Sequence, residues 1–404
     1  MVKEAFNAGP YQSYWWADEH RSIHPTIKAE LSEPVDSRAL DQAWMETLRV
    51  YPLLDHCVSV VDQEVIFTQR EGVNKPISSS ARPPLASEAV AFRAASLTYH
   101  ENAIVLSIYQ TLVDALGLVE VFKTLLCLYM RECGHATDDM ADAVLQTARL
   151  PEDYFVQNTV LELGDYTPVP VMLYRDSLRI FHDDSVAKGG EPPVTSAQLS
   201  VPASEFDQLS DRFGATSEVL VAHIVAKSIY ALYPEERCDL CMSFGTDFRP
   251  TFGLAHTIAP CSKQMPAIIS RHDTVLLNTA DALKEISRLR DRQLSDDYVK
   301  TYVALDNTYG YLQPRNVSCS LSPVGEVGSA GGHVTRVAVY DFSSNTAFLL
   351  RLGEQMLISL QYGYATKRYA RSIMATLRDL GITVHMVEAP HEVSPESLSI
   401  KAAR

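Results

Sequence analysis

Residues 107–122 read SIYQTLVDALGLVEVF, and this stretch decides the fold. The run from Ile104 to Leu112 is apolar enough to be a buried strand. Past it, Leu118, Val121, Phe122, Leu125, Leu128 and Tyr129 recur at the spacing of one helical face. Asp114 stands where a helix begins, and Gly134 where one stops in the left-handed conformation that glycine tolerates. A strand therefore turns within a few residues into a long helix running from about Asp114 to Cys133.

Working outward, Ala91 to Tyr99 reads as the hairpin partner of this strand, turned at His100-Glu101-Asn102. Ile27 to Glu33 reads as an earlier strand, stopped by Pro34. Asp36 caps a helix carrying Leu40, Trp44, Thr47, Leu48 and Tyr51 on one face. Cys57 to Val61 and Val65 to Thr68 form a second hairpin.

From His135 to about Pro193 the sequence is polar and rich in proline, the character of a crossover. The later part opens with a strand, Ala197 to Val201, and a short helix ending at Gly214. A longer helix, capped by Thr216 or Ser217, is apolar nearly all round and so is expected to be central. Strands follow near Leu240 to Thr246 and Gln264 to Ile269, then a helix from Thr279 to Leu294. Further strands are expected near Val317 to Leu321, Val334 to Tyr340, Ala347 to Leu352 and Gln355 to Gln361. A last helix carries Tyr369, Ile373, Leu377 and Leu380, and Ile382 to Val387 closes the chain. Strands alternating with helices predict an α/β architecture. The expected division is a first half over 1–165, a crossover over 166–195 and a second half over 196–404.

Composition narrows the function. Apolar residues make up 46% of the 404, too many for a disordered chain, and seven cysteines are too few for a disulfide scaffold. Thirty-five basic against fifty acidic residues leave a net charge of −15, which argues against a nucleic-acid partner. No run approaches the roughly 18 apolar residues of a membrane span. The N-terminal residues carry no apolar signal segment, and the odd cysteine count suits a reducing compartment, so a cytoplasmic location is expected.

Three pieces, in order, carry a resemblance. The first is HPTIKAELSEPVDSRALDQAWMETLRVYPLL from His24, the second is SIYQTLVDALGLVEVF, and the third is the strand ending Gly245-Thr246-Asp247-Phe248-Arg249-Pro250. Together they resemble the chloramphenicol-acetyltransferase-like superfamily, which holds condensation domains, alcohol acetyltransferases and polyketide-associated acyltransferases. The resemblance implies two similar halves, each a mixed sheet with helices, and a channel between them that admits acyl donor and acceptor from opposite ends. It implies an acyl-CoA or carrier-protein thioester as co-substrate, a small-molecule acceptor with a hydroxyl or amine, and no further cofactor.

The superfamily places His-His-x-x-x-Asp-Gly at the strand-to-helix turn, with the second His as general base. Here the segment reads Tyr109-Gln110-Thr111-Leu112-Val113-Asp114-Ala115. The Asp is kept; both histidines and the Gly are replaced. A carboxamide cannot take a proton near neutral pH, and losing such a base costs about 10²–10⁴ in rate. Two functions stay open: an acyltransferase in which Gln110 orients the nucleophile, and a catalytically silent relative that binds an acyl ligand, a carrier or an enzyme partner.

Asp114 is expected to cap the helix or to form the superfamily's buried ion pair with an Arg, and Arg249, with Asp247, lies in the matching Asp-x-Arg stretch. Tyr109, a poor base, packs in the core or donates a hydrogen bond to an oxyanion. His256, in the loop GLAHTIAP, is the one histidine nominated to replace the missing base. His223 reads as a satisfied core residue, while His20 and His24 have nothing nearby to complete a site. Cys238 and Cys241 have the C-x-x-C spacing but no second ligand pair, so no metal is expected. The glycines from Gly325 to Gly332 form no phosphate-binding frame and read as a flexible loop.

Overall fold

The computed structural model describes residues 5–7, 25–61, 64–69, 74–80, 85, 93–109, 112–135, 163–172, 194–254, 257–309, 317–328, 332–340, 345–363 and 368–393. Elements are numbered over these residues. Strand β1 (Ala5–Asn7) is followed by β2 (Thr26–Leu31), in which period-two alternation sends Ile27, Ala29 and Leu31 into the core. Helix α1 (Ser37–Val50) starts at Asp36, whose carboxylate accepts the N–H groups of Arg38 and Ala39 at 2.8 and 3.1 Å. A single tight turn, Pro52–Asp55, leads to β3 (His56–Val61) and β4 (Glu64–Gln69), which form an antiparallel ribbon with β1.

Next come β5 (Ile77–Ser78), β6 (Ala95–His100), β7 (Ala103–Ile108) and α2 (Ala115–Glu132). The β6–β7 turn places Glu101 at φ 51°, and Gly134 ends α2 at φ 76°. The first main sheet has the order β12-β2-β7-β6-β5, in which β12 (Val334–Tyr340) comes from late in the chain.

The later part supplies β8 (Val194–Pro202), α3 (Ala203–Phe213), α4 (Ser217–Leu232), β9 (Leu240–Asp247), a single turn α5 (Arg249–Phe252) and β10 (Ser262–Ile269). Helices α6 (Arg271–Leu276), α7 (Thr279–Gln293) and α8 (Asp296–Tyr309) follow, then β11 (Cys319–Val327), β12 (Val334–Tyr340), β13 (Thr346–Leu352), β14 (Gln355–Tyr362), α9 (Tyr369–Asp379) and β15 (His385–Val393). The second main sheet runs β10-β9-β11-β13-β14-β8-β15. Thr216 is the residue that caps α4, its hydroxyl accepting the Val219 N–H.

Helix α2 lies between the two sheets. One side packs on the first sheet through Ile27, Ile104 and Leu106; the other meets Val324, Phe348, Leu350 and Leu357 of the second. Residues off its expected stripe, such as Val119, Leu126 and Met130, are therefore buried as well. The second sheet's opposite face, with Leu199, Leu321, Leu349 and Ile358, packs in a separate core with α4 and α9. Among the described residues no single helix is long and apolar enough to cross a membrane.

The sheets are stitched at an edge. Strand β12, from late in the chain, pairs antiparallel with β2 and sits at the rim of the first sheet. Two carbonyls of this rim strand, of Val337 and Val339, accept from Gln198 Nε2 and Gln361 Nε2 of the second sheet at 2.7 and 3.2 Å. At the β10 rim, Gln293 donates to the Pro266 carbonyl and the Tyr302 hydroxyl to that of Gln264. Side chains thus meet polar backbone at the rims of the sheets.

Three sequence expectations need correction, two of them about elements and one about His223. No element was expected between Leu294 and Val317, yet α8 lies there. Its inward residues, Tyr298, Val299, Tyr302 and Val303, are aromatic or β-branched types that favour strands, and packing against Phe248 and Met265 decides for helix. Extended backbone over 167–172 docks on it: the N–H groups of Thr167, Val169 and Met172 donate to Asp297, the Thr301 hydroxyl and the Tyr298 hydroxyl. The glycine run is not all loop either. Strand β11 continues through Gly325, with an irregular register between Pro323 and Gly325, where φ reaches 92°.

His223 is a core residue of α4, 1% exposed, but not a satisfied one: neither ring nitrogen has a hydrogen-bond partner among the described residues. Burial, helped by the nearby Lys227 charge, lowers its pKa from 6.5 to about 4. The folded protein then binds fewer protons than the unfolded chain between these values. Stability contributed by the neutral ring is complete above pH 6.5 and is lost as pH falls toward 4, on the order of 3 kcal/mol in all. His223→Leu is expected to flatten the fall in urea midpoint between pH 6.5 and 4.5. An unchanged pH slope would assign the acid sensitivity to other groups.

Candidate functional site

The strand-to-helix turn after β7 meets the end of β9 at one buried junction. Asp114 caps α2, its Oδ1 accepting the Gly117 N–H at 2.8 Å. The same carboxylate receives Arg249 Nη2 at 2.9 and 3.0 Å on its two oxygens, and the Cys261 N–H at 3.0 Å on Oδ2. Asp114 thus fills both roles left open by the sequence, helix cap and ion-pair partner, to a residue 135 positions later.

Arg249 spends most of its donor directions inside the protein. Nε donates to the Thr257 carbonyl at 2.8 Å, Nη2 also to that of Ala259 at 2.8 Å, and Nη1 to Asp247 Oδ1 at 2.9 Å. Asp247 Oδ1 in addition accepts the Arg249 backbone N–H at 3.1 Å, which sets the turn from β9 into α5. Both members of the pair are buried, Asp114 at 8% and Arg249 at 6% exposure. Burial opposes the guanidinium charge, but Asp114 and then Asp247 outweigh it and hold Arg249 protonated above its ordinary range. Cys261, beside them, has its thiol pushed up to about 12, chiefly by burial. It is a packed thiol and not a nucleophile.

Gly117 was not singled out in the sequence, yet the junction needs it. A Cβ there would stand 2.2 Å from the Ile258 carbonyl oxygen, so the loop holding Arg249 could not close on α2. The readable signal was a glycine in the first turn of an otherwise strong helix, where it costs helix propensity without a local reason. Cys261 and the Thr257 and Ala259 carbonyls act through backbone groups, which no side-chain pattern announces.

Tyr109 is buried, its ring edge-on to Phe67 with centroids 6.1 Å apart. Its N–H donates to the Ala94 carbonyl, tying the turn to the strand before it. Gln110 and His256 lie outside the described residues. The structure therefore brings Asp114, Asp247 and Arg249 together, with Tyr109 packed in the core on the turn that leads to Asp114. His223 sits elsewhere, in the core on the far face of the second sheet. Cys238 is half-buried and Cys241 buried at the start of β9. Among the described residues no three His, Cys, Asp or Glu side chains gather as metal ligands would.

No protein-family profile matches the chain, and no curated protein sequence matches it. Solved structures do. The chain superposes on TRI101 of F. graminearum complexed with coenzyme A and deoxynivalenol at TM-score 0.61 and 13% identity, over 89% of this chain and 94% of that one. Polyketide synthase associated protein 5 from Mycobacterium tuberculosis gives 0.60 and 11%, over 93% and 98%. The epimerization domain from the third module of tyrocidine synthetase B gives 0.58 and 11%, over 94% and 96%. The chain has the α/β, chloramphenicol-acetyltransferase-like fold.

Proposed function

We propose that this protein handles acyl thioesters in a channel between its two halves, transferring an acyl group from coenzyme A or a carrier protein to a hydroxyl or amine of a small acceptor. The observation that carries this reading is the Asp114–Arg249–Asp247 junction. It fixes the strand-to-helix turn of the first half against the β9 end of the second, and a group placed on that turn would be held rigidly at the channel. The fold is shared with acyltransferases and condensation domains, and the TRI101 complex contains coenzyme A.

In the transfer, the acceptor oxygen or nitrogen adds to the thioester carbonyl and the C–S bond breaks. The acceptor's proton ends on the departing sulfur, giving an ester or amide and a free thiol. Gln110 would orient the nucleophile by hydrogen bonding. The proton would travel through His256 or a substrate group, since a carboxamide does not accept it.

A specific observation also favours the silent relative. Tyr109, at the first His position, has its ring committed to the core, and Gln110 at the second offers no base. Such a protein would bind the thioester or a carrier without turnover.

One experiment separates the readings. Binding of coenzyme A and acetyl-CoA is measured by calorimetry, and release of free thiol is followed with a panel of hydroxyl and amine acceptors. Binding with acceptor-dependent thiol release supports the transferase. Binding without release supports the silent relative. Absence of binding by either thiol or thioester, and by an acyl carrier protein, overturns both.

A further inference from the structure

Residues 163–172 read LGDYTPVPVM, with Pro168 and Pro170 alternating with Thr167 and Val169. Each proline fixes its own φ and pushes the residue before it toward extended backbone. The stretch is therefore extended by its own sequence before it touches anything. It lies on α8, and the hydrogen bonds that hold it there address its main chain. The N–H groups of Thr167, Val169 and Met172 donate to Asp297 Oδ1, Thr301 Oγ1 and the Tyr298 hydroxyl at 2.9, 3.2 and 2.9 Å. Lys300 Nζ donates to the Asp165 carbonyl at 3.1 Å, and Arg292 to that of Pro170.

The helix side is arranged to receive such a backbone. The Thr301 hydroxyl gives its proton to the Asp297 carbonyl at 2.6 Å, which leaves it acceptor capacity for the Val169 N–H. Arg292, which reaches Pro170, also lies over the Tyr298 ring, 5.8 Å from its centroid. Between these anchors Leu163, Val169 and Val171 pack on the cluster of Phe248, Met265, Tyr298, Val299, Tyr302 and Val303. Hydrogen bonds to the backbone, an aromatic floor and apolar side chains at alternate positions are the means by which proteins take up extended, proline-containing peptides.

The segment behaves as a ligand of α8 more than as part of the core. None of its ten residues is fully buried, and Gly164, Asp165, Thr167, Pro168 and Pro170 are exposed. Few buried contacts and exposed backbone hydrogen bonds mark a unit that opens at a small fraction of the global unfolding free energy. The seat is held independently of it. Helix α8 packs on Phe248 and Met265, its Tyr302 hydroxyl donates to the Gln264 carbonyl, and its Asp296 accepts the Thr251 hydroxyl at 2.8 Å. The helix therefore keeps its place when the segment leaves.

We propose that this face of α8 is a docking site for an extended segment of another protein, one with apolar residues at alternate positions and proline between them, and that residues 163–172 occupy it in cis. Asp297, Tyr298, Thr301, Lys300 and Arg292 read the backbone of the guest, and the apolar cluster reads its alternate side chains. The proposal goes beyond the acyl-thioester reading and does not depend on it.

The test uses the full chain and a fluorescein-labelled peptide with the sequence of residues 163–172, its binding read by anisotropy. In Val169→Asp/Val171→Asp the charged side chains no longer pack on the apolar cluster, so the seat is freed. The peptide is expected to bind this variant about tenfold or more tighter than the wild type, where the tethered segment competes for the same seat. Adding Thr301→Val or Tyr298→Phe, each of which removes one acceptor, should weaken that binding by about two- to tenfold. A chain whose residues 163–172 are replaced by a glycine–serine segment of equal length carries the measurement where the double variant does not fold. If neither folds, the segment belongs to the fold itself and the proposal is overturned. Equal binding to the wild type and to the freed chain, or none to the latter, overturns it as well. A wild type that self-associates, with the association dissolved by the peptide, identifies a second copy of this chain as the guest and overturns the assignment to another protein.

Discussion

Arg249→Leu is expected to lower the unfolding free energy by about 3–5 kcal/mol, the usual cost of leaving a buried charge without its partner. The loss is large because the guanidinium holds two carboxylates and two backbone carbonyls at once, and its removal leaves Asp114 buried with backbone N–H donors alone. Asp114→Asn should cost less. Arg249 keeps Asp247 in that variant, and the Asn side-chain oxygen can still accept the Gly117 N–H. The double variant should recover part of the Arg249→Leu loss, since no isolated carboxylate then remains at position 114. Urea unfolding of the four proteins measures this cycle. An Arg249→Leu midpoint matching the wild type would show that the junction does not hold the halves together.

Gln110→His is expected to raise the rate of acyl transfer by about 10²–10⁴, the contribution of a positioned general base. The prediction rests on the transferase reading: Asp114 keeps its place in the motif and is tied to Arg249, and position 110 is the one at which the resembled superfamily carries its general base. The readout is thiol release from acetyl-CoA in the presence of an acceptor, together with its pH profile. A new limb near the ordinary histidine range should accompany the gain, because the imidazole must be neutral to act. A variant that binds coenzyme A as the wild type does, yet shows neither gain nor new limb, would place the chemistry away from this turn and favour the silent relative.

Much of the architecture was legible because its signals are local. Asp36 before α1, Thr216 before α4 and Gly134 after α2 announce helix ends through hydrogen bonds made within a few residues. Alternation in Thr26–Leu31 gives the buried set of β2 without reference to any partner. The α8 segment was missed because Tyr298, Val299, Tyr302 and Val303 have helical spacing but strand-type side chains, and long-range packing settled that conflict. Gly325 was misjudged because glycine marks a bulge inside a strand as readily as a loop.

At the candidate site the division has the same cause. The sequence by itself determined that a strand turns into a helix at Asp114, that Asp247 and Arg249 follow another strand, and that positions 109 and 110 hold no imidazole. Each of these is fixed by residue type and nearest neighbours. Tertiary structure alone decided that Asp114 and Arg249 share one buried junction, that Gly117 makes room for Ile258, that β12 crosses to the first sheet, and that residues 163–172 dock on α8. Periodicity tells which side of its own strand or helix a residue occupies. What that side faces is set by the assembly of segments more than a hundred residues apart, where packing, desolvation and charge pairing are judged together.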